Sequence, residues 1–94
     1  MKISDQNRVT LVGRLACDGD KDTFALAIGR TEKEKTTTDF HRIRTKHAEK
    51  FYKGDLVYLR GELRNRSYET KTGEKKYLTE VVVHPRDIYK LHQN

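Results

Sequence analysis

Apolar and polar residues alternate from Arg8 to Leu15, with Val9, Leu11, Gly13 and Leu15 on one side and Arg8, Thr10, Val12 and Arg14 on the other. A period of two marks a strand with one face buried. The polar cluster Cys17 to Asp22 reads as a tight turn, after which Thr23 to Arg30 resumes the alternation with Phe24, Leu26 and Ile28 on one face. The two runs predict a hairpin. Thr31 to Thr38 is wholly polar and predicts an exposed loop before a third strand over Asp39 to Thr45. Ala48, Phe51 and Tyr52 then fall at helical spacing within Lys46 to Lys53, which predicts a two-turn helix capped by Gly54. From Leu56 the alternation is long: Val57, Leu59 and Leu63 point inward, while Tyr58, Arg60, Glu62, Arg64, Arg66 and Tyr68 point outward. A turn over Thr70 to Glu74, containing Gly73, reverses the chain into a last strand from Lys75 to Val83. This final hairpin is expected to project beyond the core, and His84 to Asn94 reads as a short ordered or fraying extension.

Five strands with one short helix between the third and fourth is the order of an OB-fold, a small all-β Greek-key barrel. An SH3-like barrel would not need the helix. At 94 residues the chain suits a single domain, with a core expected over about 7 to 91, and it shows no internal repeat, linker or low-complexity tract. Only 34% of residues are hydrophobic against 36% charged, so the core must be thin. A thin core favours burying more apolar surface against copies of the same chain.

The net charge of +6 is unevenly placed, because Arg42 to Lys76 holds eleven of the twenty basic residues and only five of the fourteen acidic ones. The excess of positive charge lies in one stretch, for which a polyanion is the natural partner and a solubilising charged surface the plainer alternative. Cys17 is the single cysteine, so neither an internal disulfide nor a multi-thiolate metal site is available. Apolar runs are too short for a membrane span and no targeting segment is evident, which gives a cytoplasmic expectation.

Chemistry concentrates on two triplets. The third strand places Phe40, Arg42 and Arg44 on one face, and the fourth repeats the combination with Arg64, Arg66 and Tyr68. Unpaired bases offer flat π faces at intervals set by charged phosphates, so an aromatic platform beside arginines suits a single strand. Further basic candidates for the same ligand are Lys46, Lys75, Lys76, Arg14, Lys33 and Lys35. Two plainer readings stand beside this one: Phe40 as an ordinary core aromatic, and Tyr68 as a cross-strand packing partner of Tyr77. His41, opposite Phe40 and beside Ile43, is a candidate for the core or a subunit contact, together with Val9 and Leu11 of the first strand.

Catalysis finds no support. No nucleophile with an orienting acid surrounds His41, and His47, His84 and His92 lack metal-ligand spacing. Asp18, Asp20 and Asp22 start like a calcium loop, but Thr23 stands where glycine is needed and Gly29 where a bidentate glutamate should be. No metal, cofactor or small-molecule substrate is expected.

The segments NRVTLVGRL, TDFHRI and YKGDLVYLRGELRNRSYETKTGEKKYLTEVVV resemble the first strand, the third strand and the last hairpin of the bacterial and organellar single-stranded DNA-binding proteins. The resemblance runs from Asn7 to about Leu91, and the part after Tyr52 is the most specific. It implies an OB-fold that assembles as a homotetramer and protects unpaired DNA in replication, repair and recombination. It also implies base stacking on Phe40, where tryptophan is common, and on Tyr68, with basic contacts from Arg42, Arg64 and Arg66. Two family platforms are missing: Lys46 stands at one, and no aromatic lies between Thr31 and Thr38 for the other. Their loss, at roughly 1 to 3 kcal/mol per base, shifts the expected binding toward charge. The chain further resembles a short form without the acidic tail through which relatives recruit replication and repair enzymes. Two alternatives stand beside it: a dimeric primosomal accessory protein of replication restart, and an OB-type module whose basic face docks an acidic protein.

Overall fold

The computed structural model describes residues 5–93. Six strands form one sheet: β1 (Val9–Leu15), β2 (Thr23–Glu32), β3 (Lys35–Arg44), β4 (Leu56–Glu69), β5 (Lys75–Val82) and β6 (Ile88–His92). β1 pairs antiparallel with β2, β2 with β3 and β4 with β5, while β3 meets β5 in parallel over a short stretch. An antiparallel pairing of β1 with β4 closes the sheet into a five-stranded barrel, the OB architecture expected from the alternation.

Inward positions follow the period of two. Leu15, Phe24, Leu26, Ile43, Ala48, Val57, Leu59, Val81 and Val83 are buried together, and Val9, Leu11, Ile28, Phe51 and Ile88 pack on their margin. β4 serves two halves of the barrel. Its first half pairs with β1 up to Gly61 opposite Val9, and from Glu62 onward it pairs with β5. The exchange happens at Gly61 because a Cβ there would stand 2.3 Å from the Val82 carbonyl oxygen, a distance no other residue tolerates.

Three expectations are corrected, and the C-terminal extension takes a definite form. Thr31 to Thr38 is no loop: β2 and β3 stay in register out to Glu32 opposite Lys35, with Lys33 in the left-handed region at φ 55°. Solvent on both faces removes the alternation that would betray a strand, while threonine at 31, 36, 37 and 38 supplies the β preference. The helix over Lys46 to Lys53 shrinks to a single 3-10 turn at Ala48–Lys50. His47 is left-handed at φ 63°, and Phe51 is already extended so that its ring meets Phe24 at 5.7 Å between centroids. A tertiary contact thus overrides a marginal two-turn helix.

The extension after His84 is ordered as a 3-10 turn at Pro85–Asp87 followed by β6, which pairs with β4 from Leu56 to Leu59. Lys90 secures it, with Nζ 3.2 Å from the buried Asp55 carboxylate and 5.4 Å from the Phe51 ring centroid. Leu63, expected inward, is 48% exposed, because β1 stops pairing with β4 at Gly61 and leaves that edge uncovered, although its β5 partner Val81 is still buried. Asn7 occupies the open edge there, donating through Nδ2 to the Leu63 carbonyl and accepting from the Leu63 amide through Oδ1.

Candidate nucleic-acid interface

β3 and β5 are hydrogen-bonded neighbours only at Ile43 opposite Val81 and Arg44 opposite Val82. Before those residues the strands run in separate hairpins, so the β2–β3 and β4–β5 hairpins fork away from a common base. On the outer face of the fork, β3 carries Phe40, Arg42 and Arg44. The β4–β5 hairpin carries Arg64 opposite Glu80, Arg66 opposite Leu78 and Tyr68 opposite Lys76.

Phe40 is 65% exposed and Tyr68 51% exposed, so neither ring belongs to the core. Tyr77 does not pack on Tyr68. It lies on the other face of the hairpin, opposite Ser67, with Lys75 Nζ 5.6 Å from its ring centroid.

Glu80, just before β3 and β5 join, ties the two triplets together. Its side chain is 2% exposed and takes Arg42 Nε on Oε2 and Arg44 Nε on Oε1, each at 2.9 Å. Arg66 Nε, from the β4–β5 hairpin to which Glu80 itself belongs, stands 3.4 Å from Oε1. The Arg44 hydrogen bond, followed by that of Arg42, holds the Glu80 carboxyl below its ordinary value of 4.5 against the opposing effect of burial. Reciprocally, the Glu80 bond raises Arg44. Arg44 also donates through Nη1 to Asp22 Oδ2 at 2.6 Å and is largely used up in structural bonds. Among the described residues, the terminal nitrogens of Arg42 and Arg66 take no other hydrogen bond, and these two side chains are about half exposed.

The remaining predicted residues divide. Lys76 shares the Tyr68 face and pairs with Glu74 at 3.3 Å, whereas Lys75 sits on the far face with Tyr77. Arg64 is held by Glu62. Arg14 stands in a row with Ala27 and Phe40 across β1, β2 and β3, and its Nη1 donates to the Gly54 carbonyl at 2.8 Å. Lys46 follows β3 and lines a groove of about 740 Å³ with Arg60, Val83 and Pro85. Lys33 and Lys35 lie at the tip of the β2–β3 hairpin, with Lys35 on the Asp39–His41 side of β3 and not on the Phe40 side. His41 is half-buried opposite Leu26, and Val9 and Leu11 rest partly against their own barrel.

Two features escaped sequence reasoning. Glu80 looked like one more polar position in an alternating strand, although an acid on the outward face of the most basic hairpin was a legible signal. The other is an apolar strip on the outside of β1, β4 and β6, where Val12 stands opposite Tyr58 and Tyr58 opposite Tyr89, the two rings 6.2 Å apart. Asp18 and Asp22 serve the Lys53 amide and Arg44, respectively.

Comparison with known proteins agrees with this geometry. The model of the single-strand binding protein family matches residues 6–89. A single-stranded DNA-binding protein of Thermotoga maritima is 36% identical over 81% of this chain and 68% of its own length. One from Clostridium tetani is also 36% identical, over 81% of this chain and 65% of its own length. The match therefore spans about two thirds of these relatives. Among solved structures, that of a Plasmodium falciparum SSB complex with ssDNA superposes with a TM-score of 0.77 at 28% identity, covering 95% of this chain and 96% of that one. With a closed OB barrel, a basic fork bearing two open aromatic rings and a family match over nearly its whole length, the chain belongs to the single-strand binding protein family.

Proposed function

We propose that this chain binds single-stranded DNA without sequence preference and protects it during replication, repair or recombination, with no chemical step of its own. The observation that carries the reading is the pair of exposed rings, Phe40 and Tyr68, on two hairpins that diverge from a shared arginine cluster. An unpaired strand laid across the fork stacks bases on the rings and sets its phosphates against Arg42 and Arg66, with Lys76, Arg64 and Lys46 farther along. A rigid duplex has no splayed bases to offer and gains only the charge. The family match and the DNA-bound structural relative support the same ligand.

A homo-oligomer, a tetramer before a dimer, fits the apolar strip of exposed Val12 and Tyr89 with half-buried Tyr58 between them, which a lone barrel leaves partly in water. Val9 and Leu11 of β1 and His41 of β3 are the other proposed contact residues. The reading places the protein in the cytoplasm, and no helix among the described residues is long and apolar enough to cross a membrane. Replication or restart proteins are its expected partners.

The test is a titration of tyrosine fluorescence with poly(dT) and with duplex of equal length, beside a native-mass measurement. Poly(dT) is expected to bind more tightly, its log affinity falling with log salt at about −0.7 per phosphate contacted. Equal affinity for duplex would refute the reading. A dimeric mass would turn it toward the restart accessory protein.

A further inference from the structure

Glu80 is an acid placed under a surface that must attract phosphate. By Coulomb's law alone it weakens binding, and its burial adds a desolvation penalty. Three guanidinium groups nevertheless converge on it from two hairpins, and both Arg42 and Arg66 approach with Nε, the nitrogen nearest the stem of the side chain. A guanidinium is planar, so fixing its Nε edge orients the two terminal nitrogens as well. Arg42 makes this approach as a hydrogen bond at 2.9 Å and Arg66 as an ion pair at 3.4 Å, and the two side chains are 46% and 50% exposed.

We propose that Glu80 is a positioning residue for single-stranded DNA, holding Arg42 by a hydrogen bond and Arg66 by an ion pair, each at Nε, so that their terminal nitrogens stand ready as phosphate clamps on either side of the fork. The inference rests on the reading that this face binds single-stranded DNA. A free arginine must give up rotamer freedom when it grips a phosphate, whereas one already moored has lost that freedom on folding. The carboxylate also keeps two like charges on different hairpins at a fixed spacing. Its depressed pKa means that it stays ionised, and so keeps mooring both groups, throughout the neutral range.

Charge and position predict opposite signs. Glu80→Gln raises the net positive charge by one, so simple electrostatics expects tighter binding and a steeper salt dependence. Positioning expects binding to a deoxythymidine oligomer to weaken about tenfold, the equivalent of one charge-assisted hydrogen bond, with no steeper slope. Both are read by fluorescence titration over a salt series, with circular dichroism and native mass confirming that fold and assembly are kept. Equal or tighter binding by the folded variant overturns the proposal while leaving the function intact. A wild-type protein that ignores the oligomer overturns the function and the proposal together.

Should Glu80→Gln fail to fold, Arg42→Lys decides. Lysine preserves the charge but has one nitrogen, which cannot serve carboxylate and phosphate in the same geometry. Binding about tenfold weaker at an unchanged salt slope supports the mooring, and unchanged affinity refutes it.

Discussion

Phe40 stands opposite Ala27 in the β2–β3 ladder, so the residue directly across from it offers only a methyl group to cover its ring. The aromatic surface is open because its cross-strand partner is small. Phe40→Ala is therefore expected to change stability by no more than about 0.5 kcal/mol, as at other exposed sites, while weakening binding to poly(dT) by roughly 1 to 3 kcal/mol. Leu26→Ala, two positions along the inner face from Phe24, should do the reverse and destabilise the barrel by about 2 to 5 kcal/mol. Thermal unfolding and fluorescence titration on the same preparations separate the two. Loss of fold in Phe40→Ala would restore the reading of that ring as a core residue.

Arg66 and Arg44 both reach Glu80, yet they should respond differently to truncation. Arg66 is half exposed, so Arg66→Ala should lower the magnitude of the log-log salt slope by about 0.7, one phosphate contact. Arg44 is bound by Glu80 and Asp22, so Arg44→Ala should chiefly lower the unfolding midpoint. An unchanged slope in Arg66→Ala would remove that residue from the interface.

Glu80 also links stability to pH. Its folded pKa is depressed, so the stability it contributes is fully present above the unfolded value of 4.5 and is lost as pH falls through the folded value. The gap between the unfolding midpoints of wild type and Glu80→Gln should be constant near neutrality and close only below 4.5. A gap that closes as pH falls from about 7 to about 6, while still well above that value, would show that the arginines do not hold the carboxyl in its charged form.

Lys90 fastens β6 to the barrel through the buried carboxylate of Asp55. Lys90→Ala removes a charge partner from that acid and should destabilise the protein by about 1 to 3 kcal/mol. Because β6 lies away from the Phe40 fork, affinity for poly(dT) should not change. The check is urea unfolding beside a titration, and a drop in affinity at native fold would tie β6 to the interface.

The barrel was legible because its strands have one wet and one dry face. Val57 and Leu59 are both fully buried, as their alternation implied, and the residues of the two aromatic–arginine triplets point outward for the same reason. Where that contrast disappears, so does the signal: Thr31 to Thr38 is strand with water on both sides, and Leu63 keeps the inward parity beyond the point at which β1 stops covering β4. The helix failed for a different reason. Ala48 and Phe51 have helical spacing, but Phe51 is pulled out to meet Phe24, a residue far away in the chain.

Alternation and local charge thus determined the fold class, the outward aromatic rings and the basic character of one half of the chain, since each depends on residues a few positions apart. Only the tertiary structure decided that Arg42, Arg44 and Arg66 share one buried carboxylate, that Lys75 and Lys35 lie off the Phe40–Tyr68 face, and that β6 completes the outer wall. Those are meetings between strands, set by register and barrel closure, and no periodicity within a single strand encodes them.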